Sequence, residues 1–334
     1  MSFFSSPDRS GRIYCELCPR KCHIPGGGKG ACRVRGNRGG RGDIPFYGFI
    51  TAMADDPIEK KPLYHFRPGA RILSIGFSGC NLRCPFCQNW HISQSANPGA
   101  PGRFMPVDAL MTEAAAAGQI AYTYSEPAVH IEYLLDCMKA ARERGIANVL
   151  VTNGCINQKP AQELLALTDA ANVDLKCFSG ETYSQILGGD LQTVLDFIKT
   201  AFEMGVHVEV TTLVIPGLND SDEELDKCID FISSISTNIP FHLSAYHPDY
   251  HWEAPPTPPE TLLRARERAL QKLKYVYTGN IADESSDTIC PGCGAVLVKR
   301  RGYNVDTAGL MLKKTDGSGQ YFCAACGKPA PVRY

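Results

Sequence analysis

The 334-residue chain lacks net charge, long apolar runs and internal repetition. Its formal charge at pH 7 is −1, so the molecule as a whole does not attract polyanions, and any electrostatic preference is local. No apolar run approaches the roughly 20 residues needed to cross a bilayer. The opening Met1–Ser10 has no basic region followed by an apolar core, so a secretory signal is not expected. Hydrophobic residues make up 44 % and charged residues 21 %, a balance that excludes a disordered or collagen-like chain. The expectation is a cytoplasmic protein without membrane contact.

A nucleotide phosphate loop is missing as well. The run Gly26-Gly27-Gly28-Lys29-Gly30 invites that reading, but the motif needs Ser or Thr after the lysine, and Gly30 is neither. Arg20 to Arg41 carries seven basic residues and no acidic ones, yet aromatics for base stacking are sparse there. Nucleic acid is not an expected partner; adjacent Lys and Arg offset the negative charge of thiolates around a metal.

What the chain has in excess is cysteine. Fifteen are present, and eleven fall into three clusters, leaving Cys137, Cys155, Cys177 and Cys228 alone. A secreted disulfide scaffold would be shorter and even in count. Clustered pairs in a chain without a signal point to metal ligation.

The clusters divide the chain. Residues 1–45 form a glycine-rich segment with Cys15, Cys18, Cys22 and Cys32. So small a unit buries too little surface to fold alone, and a metal centre (zinc or iron–sulfur) would supply the missing stability. Residues 46–286 alternate β-rich runs with helical stretches. Strands are expected at 71–77, 119–124, 147–152, 172–177, 207–215, 241–246 and 275–278. Helices are expected at 128–144, 159–167, 191–204, 222–233 and 259–273. That alternation means parallel strands joined by right-handed crossovers, a full or partial (β/α)6 barrel whose chemistry sits at the strands' carboxyl ends. Residues 287–334 carry Cys290-x2-Cys293 and Cys323-x2-Cys326, separated by 29 residues, a zinc-ribbon or rubredoxin-like tail holding zinc or iron. The glycine after each second cysteine can bring amides toward the sulfurs.

Cys80, Cys84 and Cys87, spaced C-x3-C-x2-C, directly follow the first strand of the series. No fourth cysteine appears until Cys137. Three thiolates on one loop can hold three corners of a [4Fe–4S] cube and leave one iron open to a small molecule. The competing reading is a carrier or structural cluster completed by Cys155 or Cys177.

The loop, with Phe86 before its third cysteine, resembles the radical S-adenosylmethionine (SAM) superfamily. The resemblance implies that the open iron takes SAM and that an electron from the cluster breaks the sulfonium bond. The 5′-deoxyadenosyl radical so formed abstracts a hydrogen atom. It further implies that Phe86 covers the adenine and that Ser125 and Glu126 stand in the turn binding the SAM amino group. Their other reading is a helix cap before Pro127. Thr152-Asn153-Gly154, Asp174-Leu175-Lys176 and Tyr246-His247 resemble motifs of pyruvate formate-lyase activating enzymes. By that likeness Lys176 faces the SAM carboxylate, Asp174 positions the cofactor or a cation, and His247 contacts SAM. Val151 stands where those enzymes carry an aspartate. Val214–Asp220 resembles a segment flanking adenine and ribose, and Ser221-x-x-Glu224 reads equally as a capping box.

Residues 59–69 and 88–93, the N-terminal cysteine segment, residues 274–280 and the terminal knuckles together resemble the radical SAM protein of the AmmeMemoRadiSam system. The implied activity is activase-like, on a protein or peptide, with a reductase such as a flavodoxin or ferredoxin as electron source. One alternative is a small-molecule substrate, with the terminal metal segments covering the barrel mouth. Another is a non-enzymatic iron–sulfur or zinc protein.

Overall fold

The computed structural model describes residues 3–94, 102–281, 286–315 and 318–333. At its centre is one eight-stranded sheet whose spatial order follows the sequence. Strand β1 (Ala52–Pro57) runs antiparallel to β2 (Arg71–Gly76). Six parallel strands follow: β3 (Gln119–Thr123), β4 (Ala147–Thr152), β5 (Ala170–Asp174), β6 (His207–Val214), β7 (Phe241–Ala245) and β8 (Val276–Gly279). Because β1 and β8 are its two edges, the sheet does not close. It is a partial barrel with seven parallel strands.

The crossovers carry α1 (Val107–Ala115), α2 (Ile131–Glu143), α3 (Gln158–Leu165), α4 (Leu191–Glu203), α5 (Asp222–Ile235) and α6 (Pro259–Leu270). Their apolar stripes recur with helical period: Val194, Phe197, Ile198 and Ala201 of α4, and Leu225, Cys228, Ile229 and Ile232 of α5, are all buried. Asp190 caps α4 by accepting from the Thr193 amide at 2.8 Å. At α5 only half of the expected capping box forms. Ser221 accepts from the Glu224 amide at 3.2 Å, whereas the Glu224 carboxylate accepts from the Phe178 amide in the neighbouring loop.

Of the central sheet and its crossover helices, β1 and α1 were not expected. The expected strand 172–177 lies two to three residues early, at Ala170–Asp174. Side chains take over the backbone beyond it: the Lys176 amide donates to the Tyr183 hydroxyl at 3.0 Å, and its carbonyl accepts from Asn219 at 2.7 Å. Asp174 therefore closes the strand and Lys176 sits in the loop.

The terminal segments lie at opposite ends of the barrel. The N-terminal segment packs on the carboxyl ends of the strands. Arg20 donates to the Asn81 carbonyl at 2.7 Å, Asn157 to the Glu16 carbonyl at 2.6 Å, and Arg35 pairs with Glu132 at 2.6 Å. The tail packs on the amino ends. The Arg333 side chain donates to the Gly205 carbonyl just before β6 at 2.9 Å, and its amide to the His65 carbonyl at 2.7 Å. Arg300, 2 % exposed, donates to the Tyr64 carbonyl at 2.7 Å. The expectation that both metal segments could cover the mouth is thus corrected: the hydrogen bonds of Arg300 and Arg333 hold the tail at the other end. Among the described residues no helix is long and apolar enough to cross a membrane.

The barrel floor beneath the tail is a polar network. Buried Glu209 accepts from His207 at 2.9 Å, His242 at 2.6 Å, and the amides of His65 and Tyr64 at 2.7 and 3.0 Å. His65 bridges the Tyr277 hydroxyl at 2.6 Å and the Pro331 carbonyl at 2.9 Å. Glu209→Ala strands these donors in the core and is expected to cost about 3–5 kcal/mol in denaturant unfolding. Burial also pushes the His65 pKa down to about 3. Its contribution to stability is therefore complete above its ordinary pKa of 6.5 and lost as pH falls toward 3, because the unfolded chain takes up the proton first. Stability should fall by up to about 1.4 kcal/mol per pH unit in that window, and His65→Gln should flatten the slope.

Candidate functional site

The three-cysteine loop leaves the carboxyl end of β2 and is held from every side. Phe77 is buried and stacks on His130 at 5.0 Å. The Phe77 carbonyl accepts from Ser125 at 2.7 Å, and the Ser78 carbonyl pairs with His130 at 2.7 Å. Gly79 adopts φ +85°, and an added Cβ would lie 2.6 Å from the Cys32 carbonyl oxygen, so only glycine fits between the loop and the N-terminal segment. On the far side the Arg83 amide donates to the Leu187 carbonyl at 2.8 Å.

The polar residues expected at the strand ends converge on this loop. Glu126, 1 % exposed, accepts from the Thr152 hydroxyl at 2.7 Å, the Asn153 amide at 2.8 Å and the Ala128 amide at 3.0 Å. The last bond makes it a helix cap, as its competing reading held. Burial raises its pKa to about 7 against these donors. Asn153 donates to Asn81 Oδ1 at 2.9 Å and approaches Cys80 Sγ at 3.6 Å. Asp174 and Lys176 pair at 2.8 Å. Burial opposes the Lys176 charge, but Asp174 and the Cys84 sulfur hold its pKa above the ordinary lysine value.

Phe86 and His247 lie on the other flank. Phe86 is buried edge-on to Trp252 at 6.3 Å. His247 is exposed and meets the Gln88 amide at 3.2 Å. Both belong to a clasp that sequence reasoning missed. After β7, His251 donates through its amide to the Pro85 carbonyl at 2.8 Å, Trp90 donates to Asp249 at 3.2 Å, and Tyr250 stacks on Trp90 at 5.3 Å. The aromatic density of Tyr246–Trp252 was the available signal. Asn81 was missed too. It is buried, accepts from Asn153, donates to the Cys155 carbonyl at 2.7 Å, and sits beside Cys80. The two candidate fourth ligands point elsewhere: Cys155 Sγ lies 4.0 Å from the Asp190 carbonyl and Cys177 Sγ 3.7 Å from that of Ser179.

The loop's donor chemistry fits an iron–sulfur cluster. Burial pushes the Cys80 thiol up and the Cys84 thiol to about 12, with Lys176 opposing the rise at Cys84. Thiolates so placed require a metal cation.

The tail is a different kind of centre. Cys290, Cys293, Cys323 and Cys326 bring their sulfurs within 4.8 Å of one another, with Cys290–Cys326 at 3.8 Å and Cys293–Cys323 at 3.7 Å. A tetrahedron with metal–sulfur bonds of about 2.3 Å has edges of about 3.8 Å. One zinc or iron ion fits. Gly294 and Gly327 close the knuckle turns by donating to the Cys290 and Cys323 carbonyls, each at 2.9 Å. It is the Gly292 amide that reaches a sulfur, Cys290, at 3.4 Å.

Two outcomes are expected from this geometry. Gly79→Ala should lower the unfolding free energy by about 2 kcal/mol or more and reduce iron uptake, read by denaturation and iron analysis. Cys293→Ser should remove one metal equivalent per chain in elemental analysis and leave the iron–sulfur absorbance of the barrel in place.

Comparison with known proteins places these features in a family. The profile of the Radical SAM superfamily matches residues 74–232, from β2 through the three-cysteine loop to α5. An uncharacterized protein of Methanocaldococcus jannaschii is 39 % identical over 96 % of both chains. The pyruvate formate-lyase-activating enzyme of Staphylococcus epidermidis is 27 % identical over 54 % of this chain and 76 % of its own. In fold, a radical SAM methyltransferase from Sphaerobacter thermophilus superposes with a TM-score of 0.50 at 16 % identity, covering 69 % of this chain and 71 % of that one. The cysteine loop, the partial barrel and the relatives agree: the chain belongs to the radical SAM superfamily and is an enzyme of SAM-dependent radical chemistry.

Proposed function

We propose that Cys80, Cys84 and Cys87 hold a [4Fe–4S] cluster at which SAM is reductively cleaved, and that the hydrogen atom is taken from a protein or peptide. The observation that carries this reading is the convergence of the Asn153 amide on Cys80 at 3.6 Å and of the Lys176 charge on Cys84. The strand-end polar set and the thiol loop thereby form one site. When bound, the cluster and SAM together supply one-electron cleavage of a sulfonium bond and hydrogen-atom abstraction.

The chain's own residues bind and orient. Lys176, with Asp174 as counter-ion, presents a fixed cation where a carboxylate would dock. Glu126, spent on Thr152, Asn153 and Ala128, sets the strand-end turns rather than meeting the cofactor directly. Phe86 supplies a buried apolar wall, and the Trp90–Tyr250 clasp closes the outer flank. The polypeptide target is supported by the likeness to activating enzymes, and a flavodoxin- or ferredoxin-class protein would provide the electron.

Anaerobic incubation of the reduced, loaded protein with SAM should release methionine and 5′-deoxyadenosine. Cys84→Ala should stop release entirely. Lys176→Met should keep the iron content and weaken SAM binding about tenfold or more. With deuterium-labelled candidates, label should enter the nucleoside from a polypeptide; label entering only from a small-molecule fraction would remove the activase-like reading and leave the radical chemistry standing.

A further inference from the structure

The thiols of Cys15, Cys18, Cys22 and Cys32 line a single cavity at the barrel mouth, together with Arg35 and Asn81. Cys15, Cys18 and Cys32 are buried, Cys22 is half-buried, and none is in a disulfide. The arrangement differs from the tail in the way that distinguishes one ion from several. Around a single tetrahedral ion four sulfurs stand about 3.8 Å apart, as the tail's do. Among the described residues no three of the N-terminal thiols lie within 4.8 Å of one another. They surround a space rather than a point. A cluster with bridging sulfides spreads its cysteines over separate irons and needs that wider frame.

A second observation, an unpartnered donor in the cavity wall, fits an anionic occupant. Arg35 is 1 % exposed. Its two terminal nitrogens donate to Glu132 at 2.6 and 2.8 Å, while its Nε is buried and has no hydrogen-bond partner. Arg35 and Cys15 line the same cavity. A backbone amide aims at a sulfur too: that of Ala31 donates to Cys22 Sγ at 3.4 Å. Donors so disposed stabilise thiolates that carry a net negative centre.

We propose that Cys15, Cys18, Cys22 and Cys32 hold a polynuclear iron–sulfur cluster, not a zinc ion, with Arg35 Nε facing it. The proposal does not depend on SAM cleavage in the barrel. Asn81 lies in the wall between the two cysteine sets, bound to Arg20 on one side and Asn153 on the other.

Acid-labile sulfide is the deciding measurement, because neither zinc nor a single iron in the tail carries any. A full-length chain with Cys80→Ala, Cys84→Ala and Cys87→Ala, reconstituted anaerobically with iron and sulfide, should retain sulfide matched by at least as much iron. Mössbauer spectra should show coupled, sulfur-ligated iron. Adding Cys15→Ser and Cys32→Ser should abolish the sulfide. Absence of sulfide from the triple variant, with one zinc beyond that of the tail, would overturn the proposal. Should the larger variant fail to fold, the wild-type chain decides: sulfide in excess of a single cubane supports the second cluster, and a single cubane's worth at full loading refutes it.

Discussion

A thiolate buried among apolar side chains is stable only beside positive charge, and the barrel mouth is organised around that condition. At the barrel mouth the thiols of Cys80 and Cys84 are driven toward the neutral form by burial, with Lys176 as a partial counterweight. Metal is what lets such thiols exist as ligands. The open sheet, the Glu126 hub and the aromatic clasp hold the loop in place. In the tail the four sulfurs close around one point, and the two small three-stranded sheets there bury only a small core around Leu297, Val298, Cys290 and Cys323.

Much of the barrel was legible because its signals are local. Strand runs such as Ala147–Thr152 are nearly continuous in buried residues, as expected for parallel strands covered on both faces, and the helices show a clean period. The antiparallel strand β1 escaped because Ala52–Pro57 holds two aspartates and a proline. Its Asp56 is masked by pairing with Lys61 at 2.6 Å and with Tyr124 at 2.5 Å, the second a partner that only the fold brings close. Helix α1 was hidden in the connection after the cysteine loop for want of a capping signal: Pro106 at its start offers no side-chain acceptor.

The candidate site divides the same way. The cysteine spacings stand out in one dimension, and so do Thr152-Asn153 and Asp174-Leu175-Lys176. What could not be read is which residues serve each other. Asp174 and Lys176 are two apart in sequence yet pair with each other. Glu126 turns inward to Thr152 and Asn153. The Glu209 network joins side chains from β6 and β7 to the segment before β2, so its logic is tertiary. The position of the tail also lay beyond the sequence, since it is fixed by Arg300 and Arg333 reaching backbone carbonyls at the barrel floor.

Gly79 touches the carbonyl of Cys32 with no room for a side chain, so the two cysteine-bearing loops at the mouth are walls of each other. Neither can swell or peel back without exposing its neighbour to solvent. Whatever loosens one loop therefore uncovers the other, while the tail at the opposite end of the barrel keeps its own contacts through Arg300 and Arg333.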